Sequence, residues 1–311
     1  MAVGTVSKSL NGDREISEAT RERVRQIARE LGYRPTAQAR GLARGRTGNF
    51  AVVVRSGFRP VFTSAFYSEV LAGVEAELER HDLNLLLTSL KRGDDLLRFA
   101  SERRADGVLY IDYDINETFL RELSASVPLV IVDGEADGIS SVVSENVAGG
   151  GAAVAHLLAR GRRRIVFMAL TLEQPNFNRR YQGFREALEA VGVEPGPTLQ
   201  AWTFPETLSA LESVLGSYRP DAIVCANDTV GYSVLQALEA LQVRVPETIA
   251  VVGYDGTAGA EYRRTRLSTV ALDKQEMGAA GVRLLLERLE YPQRPPRQIT
   301  IPTSLEQGDT S

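Results

Sequence analysis

Residues 221–255 read DAIVCANDTVGYSVLQALEALQVRVPETIAVVGYD. Two short apolar runs, DAIVCAND and IAVVGYD, flank a stretch over 230–241 whose apolar residues recur at helical spacing. Short apolar runs on either side of an amphipathic helix form a strand-helix-strand unit, and strands joined by such a crossover lie parallel. The same alternation extends in both directions. Upstream come FAVVV, LNLLLTSL, GVLYID, PLVIVDG and SSVVS, with helices expected over 66–80, 94–103 and 117–124, then RIVFMAL and LQAWTF with helices over 179–190 and 207–215. Downstream come LSTVALD, a helix beginning at Lys274 and the strand RQITIP. The pattern predicts an α/β body of two successive parallel-sheet lobes.

At 311 residues the chain has room for this body and a small additional module. Its longest apolar runs fall far short of the ~20 residues that span a bilayer. Met1 is followed by AVGTVSKSLNG, which has neither a charged nor an apolar leader region, so a cytoplasmic location is expected. The lone cysteine, Cys225, sits in an apolar run and reads as an inert buried thiol. His81 and His156 are isolated from each other and from any metal-binding spacing, so neither a metal nor a cofactor is expected. The three lysines, Lys8, Lys91 and Lys274, complete no GxxxxGK, and GxSxG is absent, so an enzyme is not expected. The glycines at 149–151 lack the GxGxxG fingerprint and read as close packing at a helix start; the arginines at 162–164 read as a solvated turn.

Residues 1–48 differ from the rest in charge. They hold ten Lys or Arg against five Asp or Glu, a net +5 that leaves −9 for the remainder of a chain carrying −4. A basic head on an acidic body suits phosphate binding at one end, because each phosphate contact releases a condensed counterion; a solvated, salt-bridged helix has the same composition. Ser17 followed by EATRERVRQIAREL predicts an N-capped helix with Val24, Ile27, Ala28 and Leu31 on one face, ended by Gly32 and Pro35. TVSKSLN before Gly12 predicts a shorter helix, and two short helices this close suit a helix-turn-helix module.

TVSKSLNG (5–12), ISEATRERVRQIARELGYRP (16–35) and AQARGLARG (37–45) together resemble the DNA-binding head of the LacI/GalR family. GGAAVAHLLARGRRRIVFM, RRYQGFREAL, PDAIVCANDTVG, VRVPETIAVVGYDGT and LSTV are similar, in order, to motifs of that family's periplasmic-binding-protein-like body. The resemblance implies a DNA-binding head over 1–48, made of a partial helix-turn-helix and a hinge helix, and an effector-binding and dimerisation body over 49–311. Its first lobe would take about 49–143 and 274–298 and its second about 144–272 and 302–311, with three strands crossing near Val143, Leu272 and Pro302. Thr5, Ser7, Lys8 and Asn11 would face DNA, with Lys8 the long cation of that helix; capping is the alternative for Thr5 and Ser7. PTAQARGLA resembles the hinge helix, which would place Thr36, Ala39 and Leu42 toward the minor groove, Leu42 as a wedge that kinks the duplex. Packing of Leu42 on the body is the alternative. The family carries a further helix before TVS, and this chain begins MAVG, so the resemblance implies an incomplete head that binds operator weakly. At Leu272–Asp273 many members have Gln-Pro instead, which leaves the effector's identity open.

In open parallel sheets ligands bind beyond the C-terminal strand ends. Asp255 ends IAVVGYD, Asn227 ends DAIVCAN and Arg180 opens the helix after RIVFMAL, so all three converge on that edge. By resemblance they hydrogen-bond an effector, and carboxylate, carboxamide and guanidinium together suit the hydroxyls of a sugar or polyol. Capping by Asp255 and Asn227, or an Arg180–Asp255 ion pair, is the alternative. Phe66, Tyr67, Trp202 and Phe204 would flank a sugar's C–H surface or else pack as ordinary core. Asp133 and Asn146, near the crossing strands, are weaker candidates. The function implied is a homodimeric, sugar-gated repressor of operator DNA with no membrane partner; no leucine-heptad tail follows IPTSLEQGDTS, so a tetramer is not expected. A transport-type sugar-binding protein and a sugar-metabolising enzyme are the alternatives, the first requiring a signal peptide and no basic head.

Overall fold

The computed structural model describes residues 3–10, 15–31, 46–54, 64–88, 102, 104–111, 117–257 and 265–311. In the head, α1 (Val3–Leu10) packs on α2 (Glu18–Glu30). Ser17 caps α2 by accepting a hydrogen bond from the Thr20 N–H, as its position before the apolar-periodic run predicts. Of the apolar face expected on α2, Val24 is buried, whereas Ile27 and Leu31 are 43% and 77% exposed. Spacing determines which residues share a helix face, and only tertiary packing covers them. The hinge segment at 36–42 and nearly all of the helix expected over 94–103 lie outside the described residues.

The body begins with β1 (Asn49–Val54), α3 (Ala65–Arg80), β2 (Asn84–Thr88), β3 (Gly107–Ile111), α4 (Glu117–Ser126), β4 (Leu129–Val132) and β5 (Ser140–Ser144). It continues with α5 (Asn146–Ala159), β6 (Ile165–Ala169), α6 (Pro175–Glu189), β7 (Thr198–Gln200), α7 (Phe204–Ser217), β8 (Ala222–Cys225), α8 (Asp228–Ala240) and β9 (Ala250–Asp255). Last come β10 (Ser268–Leu272), α9 (Lys274–Glu290), β11 (Gln298–Ile301) and β12 (Thr303–Glu306). One six-stranded sheet has the order β11-β5-β4-β3-β1-β2, and every neighbouring pair is parallel. The other has the order β12-β10-β9-β8-β6-β7 and is parallel except for the antiparallel β10–β12 pair. The chain passes between the sheets beside Glu145, Asp273 and Pro302.

Three details depart from the expected elements. LQAWTF contributes only its first two residues to β7, because Thr203 accepts from Glu206 and starts α7 with a capping box. Helix α6 begins before Arg179, with Pro175 in its first turn, where a missing N–H costs nothing. TSLE, with a single large apolar residue, forms β12 through its ladder with β10 rather than through any pattern of its own.

Alternation along the strands builds a core on each face. Phe50 and Val52 face helices α3 and α9, whereas Ala51 and Val53 join Leu120 and Leu123 of α4. In β6, Ile165 and Phe167 face α5 and α6, whereas Val166 and Met168 join Leu211 of α7 and Val234 of α8. Sheets covered on both faces require such near-continuous apolar strands. Where the head joins the body, the Asp106 carboxylate accepts from the N–H groups of Thr47 and Gly48, each at 2.7 Å, and from the Thr47 hydroxyl at 3.0 Å.

Helices α5 and α6 touch backbone to backbone. A Cβ at Gly150 would lie 2.1 Å from the Arg180 carbonyl oxygen, whereas at Gly151 its nearest neighbour would be 3.6 Å away, an ordinary contact. Gly150→Ala is therefore expected to destabilise the body by about 2–3 kcal/mol through forced helix separation. Gly151→Ala is expected to stabilise it by roughly 0.5–1 kcal/mol through helix propensity alone. Urea denaturation of the two variants checks both signs.

Candidate functional site

Arg180 lies in the second turn of α6 and is 3% exposed. A buried guanidinium must have its donors satisfied, and the neighbouring elements supply the acceptors. Its Nη1 donates to the Ala226 carbonyl at 2.7 Å, beyond the end of β8, and to Asp255 Oδ1 at 3.1 Å, at the end of β9. Its Nε donates to Asn146 Oδ1 at 2.8 Å, at the start of α5. The guanidinium carbon lies 3.6 Å from the centroid of the Tyr254 ring, a cation–π contact. That ring fits because position 149 is glycine, where a Cβ would lie 2.6 Å from it.

A chain of hydrogen bonds continues from this pair toward the first sheet. Asn146 Oδ1 also accepts from the Ser144 hydroxyl at 3.0 Å, and its Nδ2 donates to Asn176 Oδ1 at 3.3 Å. Asn176 Nδ2 donates to the Asp133 carbonyl at 2.6 Å and to its Oδ1 at 3.0 Å. Asp133 follows β4 of the first sheet, and Asn176 opens α6 beside the second, so the network joins the two lobes. Arg179 and Glu135 add an ion pair between the same segments.

The strand ends carry unusual backbone. Asp133 has φ of +61°, in the left-handed region that Asp tolerates, and Asp255 has φ of +112°, a value that a side-chain-bearing residue keeps only when its surroundings hold it. Burial pushes the Asp255 carboxyl up to about 8, with Arg180 pulling it back part of the way. Burial likewise pushes Asp133 up to about 6 against the opposing pull of Arg180. Asp228 is also raised by burial, although it accepts from the Thr269 hydroxyl at 2.6 Å and the Thr257 N–H at 2.8 Å.

The structure thus brings together Arg180, Asp255, Asn146 and Asp133. Asn227 stands next to Ala226 and caps α8, its Oδ1 accepting from the Val230 N–H at 2.9 Å. Phe66 is buried in α3, edge-on to Tyr67 with centroids 5.4 Å apart. Phe204 packs against the core beneath α7 and α8, and Trp202 is 41% exposed beyond β7. The guanidinium carbon of Arg180 also lies 5.7 Å from the centroid of the Phe177 ring. Asn176 and Phe177 were absent from the expected residues, although Asn176 lies one helical turn before Arg180, a spacing that places both on one face. In the head, Thr5, Ser7 and Lys8 lie on α1, and Lys8 pairs with Glu15. Such an exposed pair contributes only about 0–1 kcal/mol. Asn11, Thr36, Ala39 and Leu42 lie outside the described residues.

Asp133 carries a pH prediction. Its folded value of about 6 lies above the ordinary 3.8, so the folded chain holds this proton more tightly than the unfolded chain. Its contribution to stability is complete below pH 3.8 and is lost as pH rises through about 6. Asp133→Asn is expected to flatten the fall in melting temperature between these two pH values, as read by thermal unfolding across a pH series.

Comparison with known proteins places this geometry. A model of the lacI family of bacterial regulatory proteins matches residues 2–36, and one of the periplasmic binding protein-like domain matches residues 154–311. The HTH-type transcriptional regulator CelR of Thermobifida fusca is 32% identical, over 97% of this chain and 92% of its own length. The ribose operon repressor of Haemophilus influenzae is 30% identical, over 94% of this chain and 90% of its own. A solved transcriptional regulator CelR-cellobiose complex superposes with a TM-score of 0.75 at 29% identity, covering 100% of this chain and 96% of that one. With its two-helix head, its paired sheets and full-length likeness to such regulators, the chain belongs to the LacI family of bacterial transcriptional regulators.

Proposed function

We propose that the chain represses transcription by binding operator DNA as a homodimer and that a sugar held between its two lobes sets its operator affinity. Residues 1–48 form the DNA-binding part and residues 49–311 the sensing and dimerising part. The observation that carries this reading is the buried Arg180–Asp255 pair. It sits at the C-terminal edge of the second sheet, linked through Asn146 and Asn176 to Asp133 of the first. A guest that exchanges hydrogen bonds with this network touches both lobes at once. It also lies among the three crossings, where the lobes can turn against each other.

A sugar is supported by the polar groups themselves. Carboxylate, guanidinium and carboxamide offer both acceptors and donors to vicinal hydroxyls, and Tyr254 and Phe177 supply ring faces beside them. Cellobiose in the CelR complex and ribose in the name of the Haemophilus repressor point to the same ligand class. In the head, Thr5, Ser7, Lys8 and Asn11 are assigned to DNA, with Thr36, Ala39 and Leu42 in the hinge segment. Asn227, Phe66, Tyr67, Trp202 and Phe204 complete the assigned effector residues.

The coupling is reciprocal: the factor by which sugar changes operator affinity must equal the factor by which operator changes sugar affinity. Two titrations, each with the other ligand present and absent, test this, and a sugar affinity unchanged by operator DNA would refute the assignment. Asp255→Asn, which leaves the buried Arg180 an acceptor, is expected to abolish the response to sugar while operator affinity in its absence is retained. Leu42→Ala is expected to weaken binding to operator by about tenfold while binding to random duplex changes little. Loss of the same function in both variants would show that the division of roles is wrong.

A further inference from the structure

Lys274 is one of three lysines in the chain, and its side chain is 4% exposed. It opens α9, directly after the Asp273 cap, where a cation opposes the helix dipole. Its position therefore has to be explained by what it binds. Nζ donates to the carbonyl oxygens of Gly256 at 2.6 Å, Asp255 at 2.8 Å and Leu272 at 3.3 Å, which uses its three donors. The Glu69 carboxylate lies 3.4 Å away.

These contacts span the two lobes. Asp255, Gly256 and Leu272 belong to the ends of β9 and β10 in the second sheet, whereas Glu69 lies near the start of α3, and α3 and α9 pack together on the first. The two carbonyls that Lys274 grips most closely lie at and just after a strained residue, since Asp255 has φ of +112°. Strain of this kind persists only where neighbours hold it, and the ammonium is one of the groups that do so, beside the Thr269 hydroxyl, which accepts from the Gly256 N–H at 3.2 Å.

We propose that Lys274 is a positioning residue: it fixes the backbone that aims the Asp255 carboxylate at Arg180, and it passes movement of that backbone to α3 through Glu69. This rests on the reading of the Arg180–Asp255 pair as the effector site. The sugar need not touch Lys274 or Glu69 for either to matter. Lys274 controls the binding geometry, and Glu69 controls what the first lobe senses of it.

Amide hydrogen exchange on the full chain tests this, with cellobiose and D-ribose as probe sugars. Without sugar, Lys274→Met is expected to speed exchange at residues 255–257 and 68–70 together, by about tenfold or more, as loss of charged hydrogen bonds allows. Glu69→Gln is expected to speed only 68–70. With a sugar that binds the wild-type chain, Glu69→Gln should keep its affinity within about threefold and protect 255–257, yet fail to protect 68–70. A merely structural role for Glu69 would leave that sugar-induced protection intact, and finding it intact overturns the proposal. Faster exchange at only one of the two segments in Lys274→Met overturns it as well. If neither sugar binds the wild-type chain, the effector reading fails for these sugars, and the sugar-free measurements decide the role of Lys274. Should Lys274→Met not fold, Glu69→Gln, which keeps the ammonium, carries the test.

Discussion

The arrangement of the second lobe turns on one buried guanidinium. Arg180 is nearly inaccessible, and a charge held there without partners would cost several kcal/mol. The chain meets that demand from three directions, with a carbonyl after β8, a carboxylate ending β9 and a carboxamide opening α5. Each partner fixes the height and rotation of its own element relative to α6. The small residues at 149 and 150 follow from the same demand, because Tyr254 must slide under the guanidinium and α5 must approach the Arg180 backbone. Removing one partner of such a pair is far more damaging than never having built it.

A network of this kind also suits a sensor. Its hydrogen bonds run from Arg180 through Asn146 and Asn176 to Asp133, so the lobes are in polar contact. An effector can shift the balance between lobe arrangements only by as much as it binds one better than the other. Groups that already bond across the lobes are where such a difference arises, because a ligand hydroxyl must replace or extend an existing bond. The head is tied in at a separate point, where Asp106 grips the backbone of Thr47 and Gly48 on the edge of the first sheet.

Most of the architecture was legible in residue order. Apolar runs such as RIVFMAL and IAVVGYD are strands because burial on both faces leaves no position for a polar side chain, and their spacing fixes the parallel connections. Ser17 was readable as a cap because its oxygen can reach only the N–H groups just ahead of it. The strand at 303–306 was not legible, since its pairing with β10 is its whole reason for existing. Ile27 and Leu31 share a face with Val24 as the spacing predicts, yet no local pattern says which of the three is covered.

For the site the division is similar. The sequence determined that Arg180, Asn227 and Asp255 lie at one edge, because strand direction and helix order place them there whatever their partners. It also determined that the amino-terminal residues are basic and the rest acidic. Only tertiary structure decided that Asn176 links Asn146 to Asp133 and that Lys274 grips the backbone of Asp255. The reason is physical. Strand and helix patterns act over a few residues, whereas the partner of a buried polar group is chosen by whichever distant element the packing brings within about 3 Å.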